Sequence, residues 1–502
     1  MHTTTRPDHE IVIVGSGFAG LGMAIRLVQE GRRDFVVLEQ ADSVGGTWRD
    51  NVYPGCACDV QSHLYSFSFA QNPDWTRTFS PQSEIRAYLE RTTDRFGVRP
   101  QIRLNARMTR AEWDDDAQLW QVEINGEETI TARVLAPALG PLNRPAYPDV
   151  PGLEDFRGKA FHSMEWDTGH DFAGERVAVV GTGASAIQFV PQLARQAARV
   201  ELFQRTPPWV LPKPDREVPR WARRIFRHVP GALHAYRQSI YWRLEARLVG
   251  FERPRLFRFV EALAKRHIRR QVRDPQLRRK LVPDYRIGCK RILMSNDYYP
   301  ALDQPHVDVH TEPLERFTTR GVLTADGVER PVDTIVFGTG FRATDLYTPL
   351  AIIGRDGVDV NDAWAAGGGV EAYKGSTVAG FPNMFLLVGP NTGLGHNSMV
   401  YMIEAQIEYV LDALRTMRER RLGAVTVRRE AQSAFNAALQ DRLVGTVWAQ
   451  GGCRSWYVDA DGTNRTLWPG HTYAFRAATR EFDAANYELT PAAVPALAPQ
   501  AA

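Results

Sequence analysis

Cysteine is scarce in this sequence: Cys56, Cys58, Cys289 and Cys453 are the four cysteines among 502 residues. So few cysteines do not form a disulfide framework, and they are typical of a reducing compartment, which predicts a cytoplasmic location. A single residue separates Cys56 from Cys58, a spacing that zinc knuckles do not use, and no second pair follows. We therefore predict no metal site.

A large excess of one charge, a long apolar run and an N-terminal signal are also missing. The 61 basic and 58 acidic residues leave a net charge of +3, which gives no reason to expect a nucleic-acid partner. No apolar run is long enough to span a bilayer, and the N-terminus lacks the pattern of a signal peptide. The remaining composition is globular, with an Ala/Pro-rich tail after Leu489 that we predict to be disordered.

The chain contains two copies of a unit made of a strand, a glycine turn, a helix and a second strand. In the first copy, an apolar run at 11–14 precedes the turn Gly15-Ser16-Gly17-Phe18-Ala19-Gly20, and the strand at 35–38 ends at Glu39. In the second copy, an apolar run at 177–180 precedes the turn Gly181-Thr182-Gly183-Ala184-Ser185-Ala186, and the strand at 200–203 ends near Arg205. Two copies predict an α/β fold with two Rossmann-like dinucleotide-binding domains.

The spacing within the two copies is the same. Gly15 lies 24 positions before Glu39, and Gly181 lies 24 positions before Arg205. The first glycine permits the tight turn, the second allows the backbone to approach a pyrophosphate, and a small residue at the third position allows close packing of helix and strand. A single such turn is weak evidence, whereas two in one register are strong evidence.

The charged residue that ends each unit indicates which dinucleotide it binds. Glu39 can accept hydrogen bonds from a ribose diol and would repel a 2′-phosphate, which predicts FAD in the first unit. Arg205 can pair with a 2′-phosphate, which predicts NADPH in the second unit. An arginine at this position can instead be a solvated residue at the end of a strand.

Two later apolar segments, 332–337 and 384–388, are each followed by glycine. We expect both to return to the first unit. The FAD domain would then be discontinuous, at 1–145 and 335–502, with the NADP domain at 150–333 inserted between its parts. Within that inserted domain, residues 216–281 are rich in arginine and show helical apolar spacing, for example at Ile240, Leu244, Leu256 and Leu263. We favour a packed helical insertion with a solvated basic face, so membrane association is not expected; a helix on a membrane surface is the alternative.

The segment between the two units matches the pattern F-x-G-x-x-x-H-x-x-x-W-[PD] at each fixed position, which here are Phe156, Gly158, His162, Trp166 and Asp167. This resembles the fingerprint of type I Baeyer–Villiger monooxygenases. Flavin-containing monooxygenases, which oxidise sulfides and amines, have a similar motif without the final Trp-Asp.

The resemblance extends along most of the chain and implies roles for further residues. Gly46, Thr47 and Trp48 look like part of the flavin-contacting stretch of the family. Asp59 stands where the family has its active-site aspartate, and Lys290-Arg291 looks like the pair that contains its active-site arginine. Together with the turns, the resemblance implies these cofactor-binding residues: Gly15, Gly17, Phe18, Gly20, Glu39, Gly46, Thr47, Trp48, Asp59, Gly181, Gly183, Ser185, Arg205, Thr206, Lys290 and Trp456.

The implied activity is conversion of a ketone to an ester or lactone with O2, through a C4a-peroxide of the reduced flavin. Such an anion needs a fixed positive charge in a water-poor pocket; arginine suits this role, and we assign it to Arg291, held by Asp59. A structural ion pair and a turn-capping aspartate are the simpler alternatives. We interpret His162 and the rest of the fingerprint as structural or conformational, and Trp456 as a cover for the nicotinamide.

Three other functions remain open from the sequence. A heteroatom oxygenase would act on sulfides or amines, an FAD/NADPH reductase would use a disulfide or quinone, and a flavin-binding redox sensor would be noncatalytic. Cys56 and Cys58 lack the CxxC or CxxxxC spacing of disulfide reductases. The sequence leaves open the identity of the small-molecule ketone, the regioselectivity, the oligomeric state and the pathway.

Overall fold

The computed structural model describes residues 6–343, 345, 347–459 and 461–492. The final strand ends at Pro491 and so includes the first two residues of the predicted disordered tail, and residues 493–502 lie outside the described part. The strands are β1 His9–Val14, β2 Phe35–Leu38, β3 Ile102–Arg103, β4 Met108–Asp114, β5 Leu119–Ile124, β6 Glu128–Pro137, β7 Lys159–His162, β8 Arg176–Val180, β9 Arg199–Phe203, β10 Val210–Leu211, β11 Leu293–Met294, β12 Val307–His310, β13 Leu314–Thr318, β14 Gly321–Thr324, β15 Glu329–Pro331, β16 Thr334–Phe337, β17 Ala351–Ile353, β18 Leu422–Val427 and β19 Tyr487–Pro491.

Helices cover both sheets and form a separate cluster between β10 and β11. They are α1 Phe18–Gln29, α2 Thr47–Asp50, α3 Gln82–Arg95, α4 Ala186–Leu193, α5 Arg220–His228, α6 Ala232–Glu245, α7 Leu248–Glu252, α8 Arg258–Gln271, α9 Pro275–Leu281, α10 Tyr298–Leu302, α11 Val360–Ala366, α12 Met399–Glu419, α13 Arg429–Leu443, α14 Val447–Gln450 and α15 Thr472–Ala478. In the part of the chain that the structure describes, no helix combines the length and apolar character needed to cross a bilayer.

The first glycine turn belongs to a seven-stranded sheet with the order β17-β4-β5-β6-β1-β2-β3. Strand β1 pairs in parallel with β2 on one side and with β6 on the other. The first strand and the second strand of this unit therefore form where the apolar runs predict them. Because residues 11–14 of β1 and all of β2 are buried on both faces, these segments are continuous apolar runs.

The second glycine turn belongs to a five-stranded parallel sheet with the order β12-β9-β8-β16-β7. The fingerprint segment contributes its edge strand, β7, which pairs with β16. Each first glycine has the same left-handed backbone, with φ of +104° at Gly15 and +103° at Gly181. The repeat in the sequence is therefore a repeat in the backbone.

One boundary prediction is wrong. Strand β16 was expected in the first unit, but it pairs with β8 and β7 of the second sheet. The reason is that the two units repeat the same arrangement of a glycine turn beside a neighbouring strand. A Cβ atom on Gly15 would meet the carbonyl of Ala138, directly after β6, and a Cβ atom on Gly181 would meet the carbonyl of Gly338, directly after β16. Strand β16 is thus the counterpart of β6. The 384–388 segment does lie beside β6, where the backbone nitrogen of Phe385 donates to the carbonyl of Leu135 at 2.9 Å.

Candidate active site

A cavity of about 1600 Å³ lies at the carboxyl ends of strands β1 and β8 and is lined by both glycine turns. Of the residues predicted to be catalytic or to bind a cofactor, all except Gly20 line this cavity. A Cβ atom on Gly20 would lie 1.8 Å from the carbonyl oxygen of Gly15, so this glycine allows helix α1 to pack against the turn. None of the five fingerprint residues is in the cavity wall.

The wall formed by the first unit combines the turn, Glu39 and helix α2. Glu39 directly follows β2, is 4% exposed and pairs with Arg49, with 2.8 Å between Nη1 and Oε1. The hydroxyl of Ser16 donates to the other carboxylate oxygen of Glu39 at 2.6 Å. These contacts hold the carboxylate beside the glycine turn. Trp48, on helix α2, donates from Nε1 to the hydroxyl of Tyr65 at 3.1 Å.

The wall formed by the second unit contains two converging cations. Arg205 and Lys290 both line the cavity, and neither forms an ion pair with any described residue. Burial lowers the pKa of Lys290, and the positive charge of Arg205 lowers it further. The hydroxyl of Thr182 donates to the carbonyl of Thr206 at 3.1 Å, which ties this loop to the glycine turn. Two unpaired cations beside such a turn are suited to a phosphate group.

Arg291 and Asp59 form a two-pronged ion pair in the cavity wall. Nε and Nη2 of Arg291 donate to the two carboxylate oxygens of Asp59 at 2.6 and 2.8 Å. The negative charge of Asp59 raises the pKa of Arg291 above its ordinary value, although burial opposes this. Burial of the Asp59 carboxyl also opposes its ionisation, but the charge and hydrogen bonds of Arg291 hold its pKa below the ordinary value. The pair is therefore fully charged at neutral pH.

The C-terminal loop is joined covalently to the Lys290-Arg291 segment. A disulfide connects Cys289 to Cys453, a single bond that the inference of a reducing compartment did not anticipate. Trp456 follows on the same loop, lines the cavity and is 41% exposed. The two cysteines are 164 positions apart in the chain, and their local sequences carry no signal that they pair.

Cys56 and Cys58 are free thiols. Both line the cavity, and burial raises the pKa of Cys56 to about 11 and also raises that of Cys58. Thiols with raised pKa values are poor nucleophiles and poor metal ligands at neutral pH. This disfavours the disulfide-reductase alternative.

The fingerprint residues lie outside the cavity, and one of them, Trp166, packs the two units together. Trp166 is buried, and its ring centroid lies 6.5 Å from that of Tyr53 in the first unit and 5.4 Å from that of Phe189 on α4. His162 is fully buried, and burial lowers its pKa. Asp167 pairs with Lys159 at 2.7 Å. These contacts fit a structural or conformational role.

Comparison with known proteins identifies the family. A family model described as pyridine nucleotide-disulphide oxidoreductase matches residues 12–240. The chain is 52% identical over 494 residues to a Baeyer–Villiger monooxygenase of Pseudomonas aeruginosa, covering 98% of this chain and 93% of that protein. It is 49% identical over 509 residues to one of Streptomyces coelicolor, covering 100% and 97%.

The chain belongs to the Baeyer–Villiger monooxygenase family. A structure of OTEMO in complex with FAD and NADP covers 97% of this chain and 100% of its own, with a TM-score of 0.86 and 27% identity. An oxidized steroid monooxygenase bound to NADP covers 96% and 99%, with a TM-score of 0.84 and 29% identity. The predicted family, the α/β fold with two Rossmann-like units and the monooxygenase class are confirmed.

Two cavity residues of this Baeyer–Villiger monooxygenase were missed from the sequence. Gln188, on α4, donates from Nε2 to the carbonyl of Ala57 at 2.9 Å and accepts from the hydroxyl of Tyr53 at 3.1 Å, so it joins the two units. Lys213 also lines the cavity, and its charge acts with Arg291 to lower the pKa of Asp59. Neither residue lies in a motif, and each becomes recognisable only when the units are docked.

Proposed function

We propose that this chain converts a ketone to an ester or lactone with O2 and NADPH, using FAD. One oxygen atom enters the carbon–carbon bond beside the carbonyl, and the other leaves as water with two electrons from NADPH and a proton. The observation that carries the proposal is the Asp59–Arg291 pair, which faces a cavity reached by both glycine turns.

The cofactors are FAD and NADPH, and the residues present fit them. FAD fits the first turn because Gly15 and Gly17 leave the backbone open to a pyrophosphate and Glu39 can accept from a ribose diol. NADPH fits the second turn because Arg205 and Lys290 offer two unpaired positive charges to its 2′-phosphate. When bound, FAD accepts hydride from NADPH and activates O2, chemistry that the protein itself cannot supply.

Arg291 acts as the fixed positive charge of the site. Asp59 holds Nε and Nη2, whereas the contact of Nη1 with the carbonyl of Leu394 is long, at 3.5 Å. Nη1 is thus the donor that can turn toward negative charge developing on a reacting oxygen atom. Because an arginine stays protonated even when buried, this stabilisation needs no proton transfer.

The remaining assignments concern the arrangement of the chain. We assign FAD to the seven-stranded sheet with the C-terminal region, and NADPH to the five-stranded sheet. The NADP domain therefore ends after β16 and not at residue 333. Trp456, on the loop tethered by Cys453, covers the nicotinamide. The cytoplasmic location stays a prediction. It was based on the small number of cysteines, and a disulfide between two of them is not typical of a reducing compartment.

Product analysis under labelled O2 tests the proposal. The purified holoenzyme receives NADPH, a panel of linear, cyclic and aromatic ketones, and one thioether. One labelled oxygen in an ester or lactone is expected. Label found only in a sulfoxide would assign the enzyme to the heteroatom oxygenases, and label found only in hydrogen peroxide across the whole panel would contradict ketone oxygenation.

A further inference from the structure

The helical insertion between 216 and 281 has a large excess of basic over acidic residues. It contains 19 arginines and lysines and five acids, a formal charge of +14 in a chain whose total is +3. Two of the five acids are engaged elsewhere: Glu245 is buried among Thr472, Asn397 and His471, and Glu261 pairs with Arg286. The outer surface of the insertion is therefore strongly basic.

Large apolar side chains project from the same surface. Phe259 is 82% exposed, and Leu256 and Leu263 are about half exposed. They lie three and four positions apart in the continuous helical segment 254–271, so they share one face. We call Leu256, Phe259 and Leu263 the apolar stripe. The helical spacing predicted that Leu256 and Leu263 pack inward, but the packed face is formed by Ala264 and Ile268.

Basic residues flank the apolar stripe and are not neutralised by the protein. Arg255 and Arg258 stand beside its first half, and Arg266 and Arg270 continue from its second half along the helix. Within the described part of the chain, none of these four arginines forms an ion pair or a side-chain hydrogen bond. Their charges are available to an external partner.

Helix α5 repeats the combination. Trp221 is 68% exposed, and Ile225 and Val229 follow it at four-residue spacing, with Arg220 and Arg224 beside them. The helix has no buried residue among those described. Single exposed apolar residues are common on protein surfaces, but repeated stripes on two helical segments of one insertion are not.

Three kinds of partner could cover such a surface, and its chemistry favours one of them. A second copy of the insertion would bring two strongly positive surfaces together, which is unfavourable. A nucleic acid would match the charge, but phosphates and base edges offer little to leucine and phenylalanine in a row. An anionic bilayer matches both the charge and the apolar stripe, because its headgroups can pair with the arginines and the boundary of its acyl chains can bury the apolar side chains.

We propose that this insertion docks on bilayers that contain anionic phospholipids, with the apolar stripe entering the boundary between headgroups and acyl chains. No helix needs to span the bilayer, so the contact is peripheral and reversible. The proposal does not depend on the ketone oxygenation proposed above, because no residue of the stripe lines the cavity.

Vesicle co-sedimentation of the FAD-loaded protein tests this docking. Vesicles of phosphatidylcholine alone are compared with vesicles that also contain phosphatidylglycerol, at low and high salt. We expect binding only when phosphatidylglycerol is present, weakened by salt. The double variant Phe259→Ser, Leu263→Ser should bind about tenfold more weakly, because it removes most of the apolar area that enters the bilayer.

Two controls make the result specific. Val444, outside the insertion, is 65% exposed, and Val444→Ser should bind like the parent protein. All variants should retain FAD and the parent rate of NADPH oxidation, which shows that they are folded. The proposal is overturned if vesicles do not bind, if the Phe259/Leu263 double variant binds vesicles as tightly as the parent, or if duplex DNA competes with the vesicles at equal affinity. Self-association without lipid that the double variant abolishes would also overturn it, in favour of a second copy.

Discussion

The coenzyme specificity of this enzyme can be tested at a single residue, Arg205. The change Arg205→Ala removes one of the two cations that converge at the second turn and leaves Lys290 in place. NADPH and NADH differ only in the 2′-phosphate, so NADH is an internal control for any general damage to the site. Arg195→Ala, at an arginine of the same unit that does not line the cavity, is the matched control variant.

The size of the effect follows from the contact that is lost. A hydrogen bond between charged partners contributes about 1.5–3 kcal/mol, and about 1.4 kcal/mol corresponds to tenfold in affinity. Because Arg205 is exposed to solvent and Lys290 remains in the variant, we use the lower end of this free-energy range. We expect the apparent KM for NADPH to rise roughly tenfold and that for NADH to change by less than about twofold.

Steady-state NADPH and NADH oxidation with a saturating ketone measures both constants. The kcat with NADPH should change little, because the 2′-phosphate lies far from the transferred hydride and contributes equally to the ground and transition states. Equal increases in KM for both coenzymes would refute the assignment of Arg205 to the 2′-phosphate. So would an unchanged preference for NADPH.

Four further changes test other parts of the site. Because the pKa of Lys290 is lowered, its positive charge is present at neutral pH but is lost at a lower pH than that of an ordinary lysine. The preference for NADPH over NADH in steady-state assays should therefore fall toward alkaline pH. The variant Lys290→Arg should abolish that fall. Arg291→Lys keeps the positive charge but cannot form the two-pronged contact with Asp59. We expect at least a tenfold loss of ketone oxygenation, whereas flavin reduction by NADPH, measured by stopped-flow absorbance, should persist. Full retention of oxygenation would contradict the role of Nη1. Cys453→Ser releases the C-terminal loop, so the KM for NADPH should increase and mass spectrometry should show one fewer disulfide; an unchanged KM would mean that the tether does not position the loop. Gly20→Ala places a Cβ atom 1.8 Å from a backbone oxygen, so the purified protein should contain little FAD, and a fully flavinated variant would show that the turn can relax.

The sequence was sufficient to predict the two nucleotide-binding units because their signals are local. A glycine that needs a positive φ, an apolar strand before it and a charged residue 24 positions later are all visible within one short window, as at Gly15 and Gly181. The assignment of β16 failed because a strand's sheet is decided by its neighbours in space. Gly15 and Gly181 show the symmetry of these strands, because the first packs against the carbonyl of Ala138 after β6 and the second against that of Gly338 after β16.

Long-range pairing explains the other differences. Cys289 and Cys453 are 164 positions apart, and nothing in their local sequences distinguishes a pair from two isolated thiols. Helical periodicity at Leu256 and Leu263 likewise identifies one face of a helix without saying whether protein or solvent covers it. In both cases the missing information is the identity of the opposing surface.

The reactive pair itself depends on the docking of the two units. Asp59 comes from the chain before the fingerprint and Arg291 from the chain after it, so their two hydrogen bonds cross the interface between the sheets. Gln188 bridges the same interface through Ala57, and Trp166 packs there against Tyr53. Any rotation between the units would lengthen the contact that orients Arg291. We therefore expect Trp166 of the fingerprint to act without touching the cavity, by helping to fix the relative position of the two elements that supply the charge pair.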